Sequence, residues 1–182
     1  MITDIKLGAT PALEQDAVAM LLACHQRIRS FTGIAVRLAE ATGAAAPEIA
    51  NAAEAVHRYY SIALPLHEAD ENESVYPRLG RRLTDASERA ALEAMVDQHG
   101  PLNQVVARLL PRWTELKTNP EKLSAYAADL RADAAALQDL WTEHLALEEE
   151  IVFPLIRTRL TREDLDAIHS EMKQRRGIGA TV

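Results

Sequence analysis

Aromatic residues and glycine are scarce in this sequence, and cysteine is almost absent. Only 4% of the 182 residues are aromatic, seven are glycine, and Cys24 is the single cysteine. Alanine and leucine instead make up most of the hydrophobic fraction of 48%, and both residues favour long helices over sheets. A single cysteine excludes an internal disulfide and agrees with a reducing compartment. The composition therefore predicts an all-α protein.

An excess of positive charge and long hydrophobic runs are also missing. The 27 acidic and 20 basic residues give a formal net charge of −7, which offers no basic surface to nucleic acid or to an anionic membrane. The sequence has no run of about 18 apolar residues and no export signal near Met1. We therefore expect a cytoplasmic, soluble protein with no nucleic-acid and no membrane partner, while a protein partner is left open.

The spacing of apolar residues predicts four long helices followed by a short one. Only a few residues connect the long helices, so neighbouring helices must run antiparallel. The expected fold is an antiparallel up-down-up-down four-helix bundle with a short extra helix at its C-terminal end. The chain length suits a single domain over residues 1–182, with the bundle at about residues 11–160 and the extra helix at about 162–176. The long helices are expected at residues 11–41, 47–83, 86–117 and 120–159.

Helix-start signals and prolines refine these boundaries. Thr10-Pro11, Asp85, and Thr161 with Asp164 are typical of helix N-termini. Each proline inside a helix removes a backbone hydrogen bond, so we expect it to kink or shorten that helix. The prolines concerned are Pro65, Pro77, Pro101 and Pro154.

Histidines and glutamates interrupt the apolar seams of the predicted helices. In the fourth helix, His144 and Glu148 continue a seam of steps of four and three residues, so both side chains should project from one face into the core. His67 and Glu71 do the same in the second helix. Burying an imidazole and a carboxylate among apolar groups is costly unless a partner or a metal compensates. The seams therefore predict a metal site.

The two motifs are copies of one pattern. HEADENESVYP begins at His67 and HLALEEEIVFP begins at His144, and both read H-x3-E-x5-P. A duplicate about 77 residues away indicates two related helical hairpins. The other helix of each hairpin carries one seam histidine, His25 or His99. The predicted metal ligands are His25, His67, Glu71, His99, His144 and Glu148.

Four imidazoles and two carboxylates suit iron, manganese or zinc. Two metals fit these residues better than one. If each metal takes two histidines and both glutamates bridge, each has four protein ligands. An oxo or hydroxo bridge would add a fifth ligand, and a sixth position would be left for a small exogenous ligand.

These residues resemble the hemerythrin-like HHE cation-binding family. The motifs that carry the resemblance lie between about residues 21 and 160, and they are LLACHQRI, HEADE, DQHGPL and HLALEEEIVFP. The resemblance implies a non-haem di-iron centre in a four-helix bundle. It also implies that the iron binds dioxygen, reacts with peroxide or nitric oxide, or senses oxygen or iron.

Two departures from the oxygen-carrying members bear on function. Those members have a second histidine one turn after the first in the third helix, where this chain has Asn103, and their last carboxylate is an aspartate in H-x4-D spacing. These departures favour redox or sensing chemistry over reversible oxygen transport. Whether the protein is an enzyme is left open. The alternatives are a non-enzymatic oxygen or iron sensor acting through a partner, and a metal-free helical interaction domain.

The remaining polar residues are not expected to be principal metal ligands. Glu68 adjoins His67 but faces about 100° away around the helix, so it is a weaker ligand candidate. His57 is too distant along its helix to join the site, and His169 is expected on the surface. Cys24 is expected to point away from the seam as a small apolar filler. The expected surface charges are Glu149, Glu150, Arg175 and Arg176.

Overall fold

The computed structural model describes residues 16–178, and these residues form helices and no strands. This result confirms the all-α prediction. The α-helices are α1 (Ala17–Glu40), α2 (Ala46–Arg58), α3 (Leu64–Ala69), α4 (Tyr76–Gly80), α5 (Ala86–Leu116), α6 (Leu123–Leu147), α7 (Phe153–Arg159) and α8 (Arg162–Arg175). None of the helices within these residues has the length and apolarity that a membrane span needs.

The second and fourth long helices of the prediction are each built from several segments. Helices α2, α3 and α4 are joined by the π-helical segments Tyr59–Ala63 and Asp70–Val75, and α6 is joined to α7 by Glu148–Val152. In a π-helix the backbone hydrogen bonds span five residues instead of four, which widens the turn. Pro77 and Pro154 lie in the first turn of α4 and α7, where their missing N–H costs little. The π segments thus accommodate the two prolines of the repeated motif.

The other helix-boundary predictions have mixed outcomes. Asp85 Oδ1 accepts hydrogen bonds from the backbone of Ser87 and Glu88 at the start of α5, and Thr161 and Asp164 form a reciprocal capping box at the start of α8. Both capping predictions are confirmed. Pro101 lies inside a continuous α5 and does not shorten it. The predicted start at Thr10-Pro11 lies outside the described residues.

The described residues form two compact units. The first unit contains Gln26–Leu64 and Gly100–Thr142. Its core includes Tyr60, whose hydroxyl lies 2.7 Å from Thr32 Oγ1 and whose ring lies 5.3 Å from the ring of Trp113. Burial raises the pKa of Tyr60 well above its ordinary value, so this phenol stays protonated and hydrogen-bonded inside the apolar core.

The second unit contains residues 16–25, Pro65–His99 and residues 143–178. Its core packs the start of α1, helix α4, the start of α5, and helices α7 and α8 against one another, with Leu79, Met95, Ile156 and Met172 all at most 1% exposed. Helix α8, the predicted short extra helix, is therefore an integral part of this unit. The predicted metal ligands all belong to this second unit.

Candidate metal centre

The six residues that the sequence predicts as metal ligands are all buried. Each is at most 5% exposed, although imidazoles and carboxylates normally prefer water. Ligand atoms from four of them lie within 4.8 Å of one another, and the same holds for a second group of three that shares Glu71. The structure therefore brings together all six predicted residues: His25, His67, Glu71, His99, His144 and Glu148.

Glu71 lies between two imidazoles that come from different helices. Its Oε1 atom is 3.0 Å from Nε2 of His67, and its Oε2 atom is 3.1 Å from Nε2 of His99. His67 lies one turn before Glu71 on the same stretch of chain, whereas His99 is in α5. One carboxylate thus presents one oxygen to each of two imidazoles.

Glu148 occupies the equivalent place between the other two imidazoles. Its Oε2 atom is 2.9 Å from Nε2 of His25, and its Oε1 atom is 3.4 Å from Nε2 of His144. His144 lies one turn before Glu148, as His67 does before Glu71. The duplication seen in the sequence is therefore also present in the geometry of the site.

The imidazoles form two pairs, and each pair faces both carboxylates. The ring centroids of His25 and His67 are 5.4 Å apart, and those of His99 and His144 are 4.9 Å apart. Each pair lies next to one oxygen of each glutamate. The first pair is part of a compact group of two nitrogens and two oxygens. The second is part of a compact group of two nitrogens and one Glu71 oxygen, with Glu148 Oε1 3.4 Å from His144.

The short contacts between the imidazole nitrogens and the carboxylate oxygens lack the alignment of well-formed hydrogen bonds. Among residues 16–178, neither oxygen of Glu71 or Glu148 has a hydrogen-bond partner, and neither does Nε2 of His25, His67 or His99. Buried polar atoms are costly in that condition. Lone pairs that converge on a common point are what a cation requires, and mixed nitrogen and oxygen donors suit iron, manganese or zinc. The donor set therefore fits a metal.

Burial controls the charge state of several of these groups. Burial and the neighbouring His67 lower the pKa of His25 to about 4, and burial lowers the pKa of His144 to about 3. Both imidazoles are therefore neutral near pH 7, which is the form that binds a cation. Burial and the charge of Glu71 raise the pKa of Glu148 well above its ordinary value. Cation binding to Glu148 therefore competes with protonation of its carboxylate.

His67 and Glu71 keep each other charged despite their burial. Burial alone would lower the pKa of His67, but the Glu71 carboxylate raises it well above its ordinary value. Burial alone would raise the pKa of Glu71, but the charge of His67 lowers it. A cation between them would take the place of the His67 proton, because both groups could then bind it in their unprotonated forms.

Each glutamate is presented by a π-helical segment. Glu71 and Glu148 lie at equivalent positions of the repeat, and the backbone carbonyl of each accepts a hydrogen bond from the N–H five residues later, at Tyr76 or Phe153. π-Helical turns of this kind are often found at functional sites. The H-x3-E-x5-P motif therefore carries both the ligand candidates and the proline that follows the wide turn.

Two polar residues that contact the imidazoles from outside were not predicted from the sequence. Glu149 Oε1 lies 2.7 Å from Nδ1 of His25, and Gln98 Oε1 lies 3.0 Å from Nδ1 of His144. The prediction that Glu149 is a surface charge is wrong, since its side chain is 28% exposed. The contact joins residues 124 positions apart in the sequence, so helical spacing alone could not reveal it.

A second network was also missed, and it involves the C-terminal helix. Asp70 is fully buried, with its carboxylate 3.0 Å from Nη1 of Arg175 and 2.6 Å from Nη2 of Arg176. The prediction that both arginines are solvated is therefore wrong. Arg176 Nη2 also lies 3.7 Å from Sγ of Cys24, and the thiol contacts His67. Cys24 is buried as expected but is not simply an apolar filler.

No other candidate from the sequence belongs to the two groups of ligand atoms found among residues 16–178. Glu68 is half-buried and belongs to neither group of metal-binding atoms found among the described residues. Asn103 is exposed. His57 is half-buried and belongs to the first unit. His169 is half-buried rather than exposed, and it lines a surface groove with Lys173.

Comparison with known proteins agrees with this geometry. The family model of the hemerythrin HHE cation binding domain matches residues 16–156, a stretch that contains all six clustered residues. No curated protein matches the chain. The family match confirms the resemblance found in the motifs and, with the buried histidine and glutamate cluster, indicates metal binding. Because the match covers most of the sequence, the chain belongs to the hemerythrin HHE cation-binding family.

Proposed function

We propose that this protein holds two iron ions and that it binds or reduces a small oxidant, namely dioxygen, peroxide or nitric oxide. The observation that carries the proposal is the arrangement of two imidazole pairs around two shared carboxylates. Each cation would have four protein ligands, which leaves room for a small exogenous ligand. We further propose that residues 1–182 form one hemerythrin-like domain with an up-down-up-down bundle.

The roles of the residues follow from their positions. His25 and His67 would hold one cation, His99 and His144 would hold the other, and both glutamates would bind both cations. A pair of iron ions supplies the electrons for binding or reducing an oxidant. The protein supplies fixed ligands and excludes bulk water, for example through the ring of Phe153, which lies 4.9 Å from that of His25. Zinc would fit the same ligands but has no redox chemistry.

The test is to load the full-length chain with ferrous iron under anaerobic conditions and then to expose it to air or peroxide. We expect two irons per chain by elemental analysis and a change in the absorption spectrum on exposure. His144→Ala should lose iron because it removes one of two nitrogens at one position, whereas His169→Ala should keep it. Full iron content in His144→Ala would overturn the assigned site.

A sensor function is the second candidate, and the Asp70 network favours it. Asp70 precedes Glu71, and its arginine partners extend from the C-terminal end of α8. Cation or oxidant binding at Glu71 could therefore alter the docking of α8 and its contact with a protein partner. Repeated peroxide reduction by the iron-loaded protein, with an added chemical reductant that returns the iron to the ferrous state, would support the first candidate. Binding and thermal stabilisation without turnover would support the sensor.

A further inference from the structure

The ring nitrogens that face away from the cluster have chemically different partners. Nδ1 of His25 is 2.7 Å from a carboxylate oxygen of Glu149, and Nδ1 of His144 is 3.0 Å from the amide oxygen of Gln98. An ionised carboxylate and an amide oxygen only accept hydrogen bonds, so each Nδ1 must donate its N–H. Nε2 then presents its lone pair to Glu148 in both cases. Of these two contacts, only the one at His25 involves a carboxylate.

The position equivalent to Glu149 in the first motif carries no charge. Glu149 follows Glu148 in the second motif, whereas Asn72 follows Glu71 in the first. Asn72 is exposed. Nδ1 of His99, the counterpart of the His25 nitrogen, has no hydrogen-bond partner among the described residues. The first motif therefore has no carboxylate at the position equivalent to Glu149.

The amide partner also has a counterpart in the repeat, and that counterpart carries no carboxylate. Gln98 precedes His99 and contacts His144, while Cys24 precedes His25 and contacts His67. The two halves therefore use equivalent positions to support their imidazoles. Glu149 is the one anionic group among these supporting residues.

A carboxylate that accepts the imidazole N–H makes the other ring nitrogen a stronger donor and fixes the ring orientation. The negative charge of Glu149 also attracts a nearby cation, and its partial burial reduces screening by water. The amide of Gln98 orients its ring without adding charge. The position that includes His25 should thus hold a cation more tightly than the position that includes His144.

We propose that Glu149 is a positioning residue that makes the cation position at His25 and His67 the tighter of the two, so that the two cations bind in a fixed order. Glu149 acts through the His25 ring and does not itself touch the cation. The inference rests on the proposed two-cation function and specifies how its two positions differ.

The experiment is a Zn²⁺ titration of the full-length chain after treatment with a chelator. Calorimetry with a competing chelator measures the two affinities, and NMR of ¹⁵N-labelled histidines shows which rings are bound first. In the wild type, two steps are expected, with the His25 and His67 signals moving before those of His99 and His144. Zn²⁺ avoids any dependence on turnover.

Exchanging the charge between the two supporting positions tests the role of Glu149. Glu149→Gln keeps an acceptor oxygen but removes the charge. The Zn²⁺ affinity of the first binding step should therefore fall by roughly 10- to 100-fold. Gln98→Glu adds a charge at the other position and should strengthen the second step. The double variant should reverse the order, with the signals of His99 and His144 moving first.

Glu150→Gln is the matched control, because it removes the same charge from the neighbouring exposed residue. The affinities and the order of its two Zn²⁺-binding steps should equal those of the wild type. Two cations that bind to Glu149→Gln with unchanged order and affinities would overturn the role of Glu149 alone, as would an equal effect in Glu150→Gln. Fewer than two cations in the wild type would overturn the two-cation site itself. If Glu149→Gln does not fold, Gln98→Glu provides the test. The proposal requires this variant to reduce the difference in Zn²⁺ affinity between the two binding steps.

Discussion

At the scale of single residues, each shared carboxylate is proposed to bind two cations, whereas each imidazole is proposed to bind one. Glu148 contacts one imidazole of each pair, whereas His99 belongs to one pair only. We therefore expect Glu148→Ala to lose both cations and His99→Ala to keep one. Elemental analysis of the iron-loaded variants measures this difference. Glu150→Ala, which removes an exposed carboxylate two residues from Glu148, should keep both, and two cations in Glu148→Ala would contradict shared coordination.

The candidate ligands could be predicted from the sequence because helical spacing alone places them on a face. His144 and Glu148 are four residues apart, and apolar neighbours mark their side of the helix as buried. Glu149 and Asp70 could not be predicted in that way. Glu149 contacts His25 from 124 residues away, and Asp70 contacts Arg175 from 105 residues away. Such long-range pairs leave no periodic pattern in the sequence.

At the scale of elements, polar contacts hold α8 to the rest of the second unit. The buried carboxylate of Asp70 makes two of them, with Arg175 and Arg176. Asp70→Ala would leave Arg175 and Arg176 without that carboxylate. Because both guanidinium groups are partly exposed, water can compensate in part, and we expect docking of α8 to weaken by about 2 kcal/mol. Amide hydrogen exchange along α8 should accelerate accordingly.

The control for this prediction is Glu73→Ala. Glu73 also contacts Arg175, but its side chain is 66% exposed, and exposed ion pairs contribute little. Exchange along α8 should therefore stay close to that of the wild type in Glu73→Ala. Unchanged exchange in Asp70→Ala would show that apolar packing of Ile168 and Met172 holds α8 without the buried carboxylate.

Acid should loosen the same helix through Glu171. Burial is the largest single influence on the pKa of this carboxylate and raises it. The hydrogen bonds from Arg78 and Ser74 together outweigh burial and lower the pKa below its ordinary value of 4.5. A lowered pKa in the folded state stabilises docking above about pH 4.5, and this contribution is lost as the pH falls further. The protection of the α8 amides from hydrogen exchange, measured relative to intrinsic exchange at each pH, should fall as the pH is lowered from 6. Glu171→Gln should flatten this pH dependence, and identical profiles for both proteins would contradict the prediction.

The helices themselves were largely predictable, and the π segments were not. The predicted ends at residues 117 and 159 lie within one residue of the ends of α5 and α7, because apolar periodicity and turn residues act locally. The expected effect of proline was correct in kind at Pro77 and Pro154, where the α-helix is interrupted, but Pro101 lies inside a continuous α5. Whether a proline breaks a helix depends on the packing around it, which one sequence window does not contain.

At the scale of the whole molecule, the buried cluster opposes folding unless something compensates it. Its carboxylate oxygens have no hydrogen-bond partners among the described residues, and buried groups in that condition reduce the free energy of unfolding. The family to which the chain belongs binds cations. Cations would turn these groups from a cost into a source of stability, which explains why so polar a cluster can lie between apolar helices.

The stability of the loaded protein should therefore depend on the cation. A ligand that binds only the folded state stabilises it by about 4 kcal/mol when its free concentration is 1,000 times the dissociation constant. We expect a chelator such as EDTA to lower the melting temperature of the iron- or zinc-loaded chain, and added Zn²⁺ to restore it. Glu148→Ala provides the control, because a variant without bound cations should melt at the same temperature with and without the chelator. Equal melting temperatures for the wild type under both conditions would show that the cluster is stable without cations and would remove the physical basis of the proposed metal site.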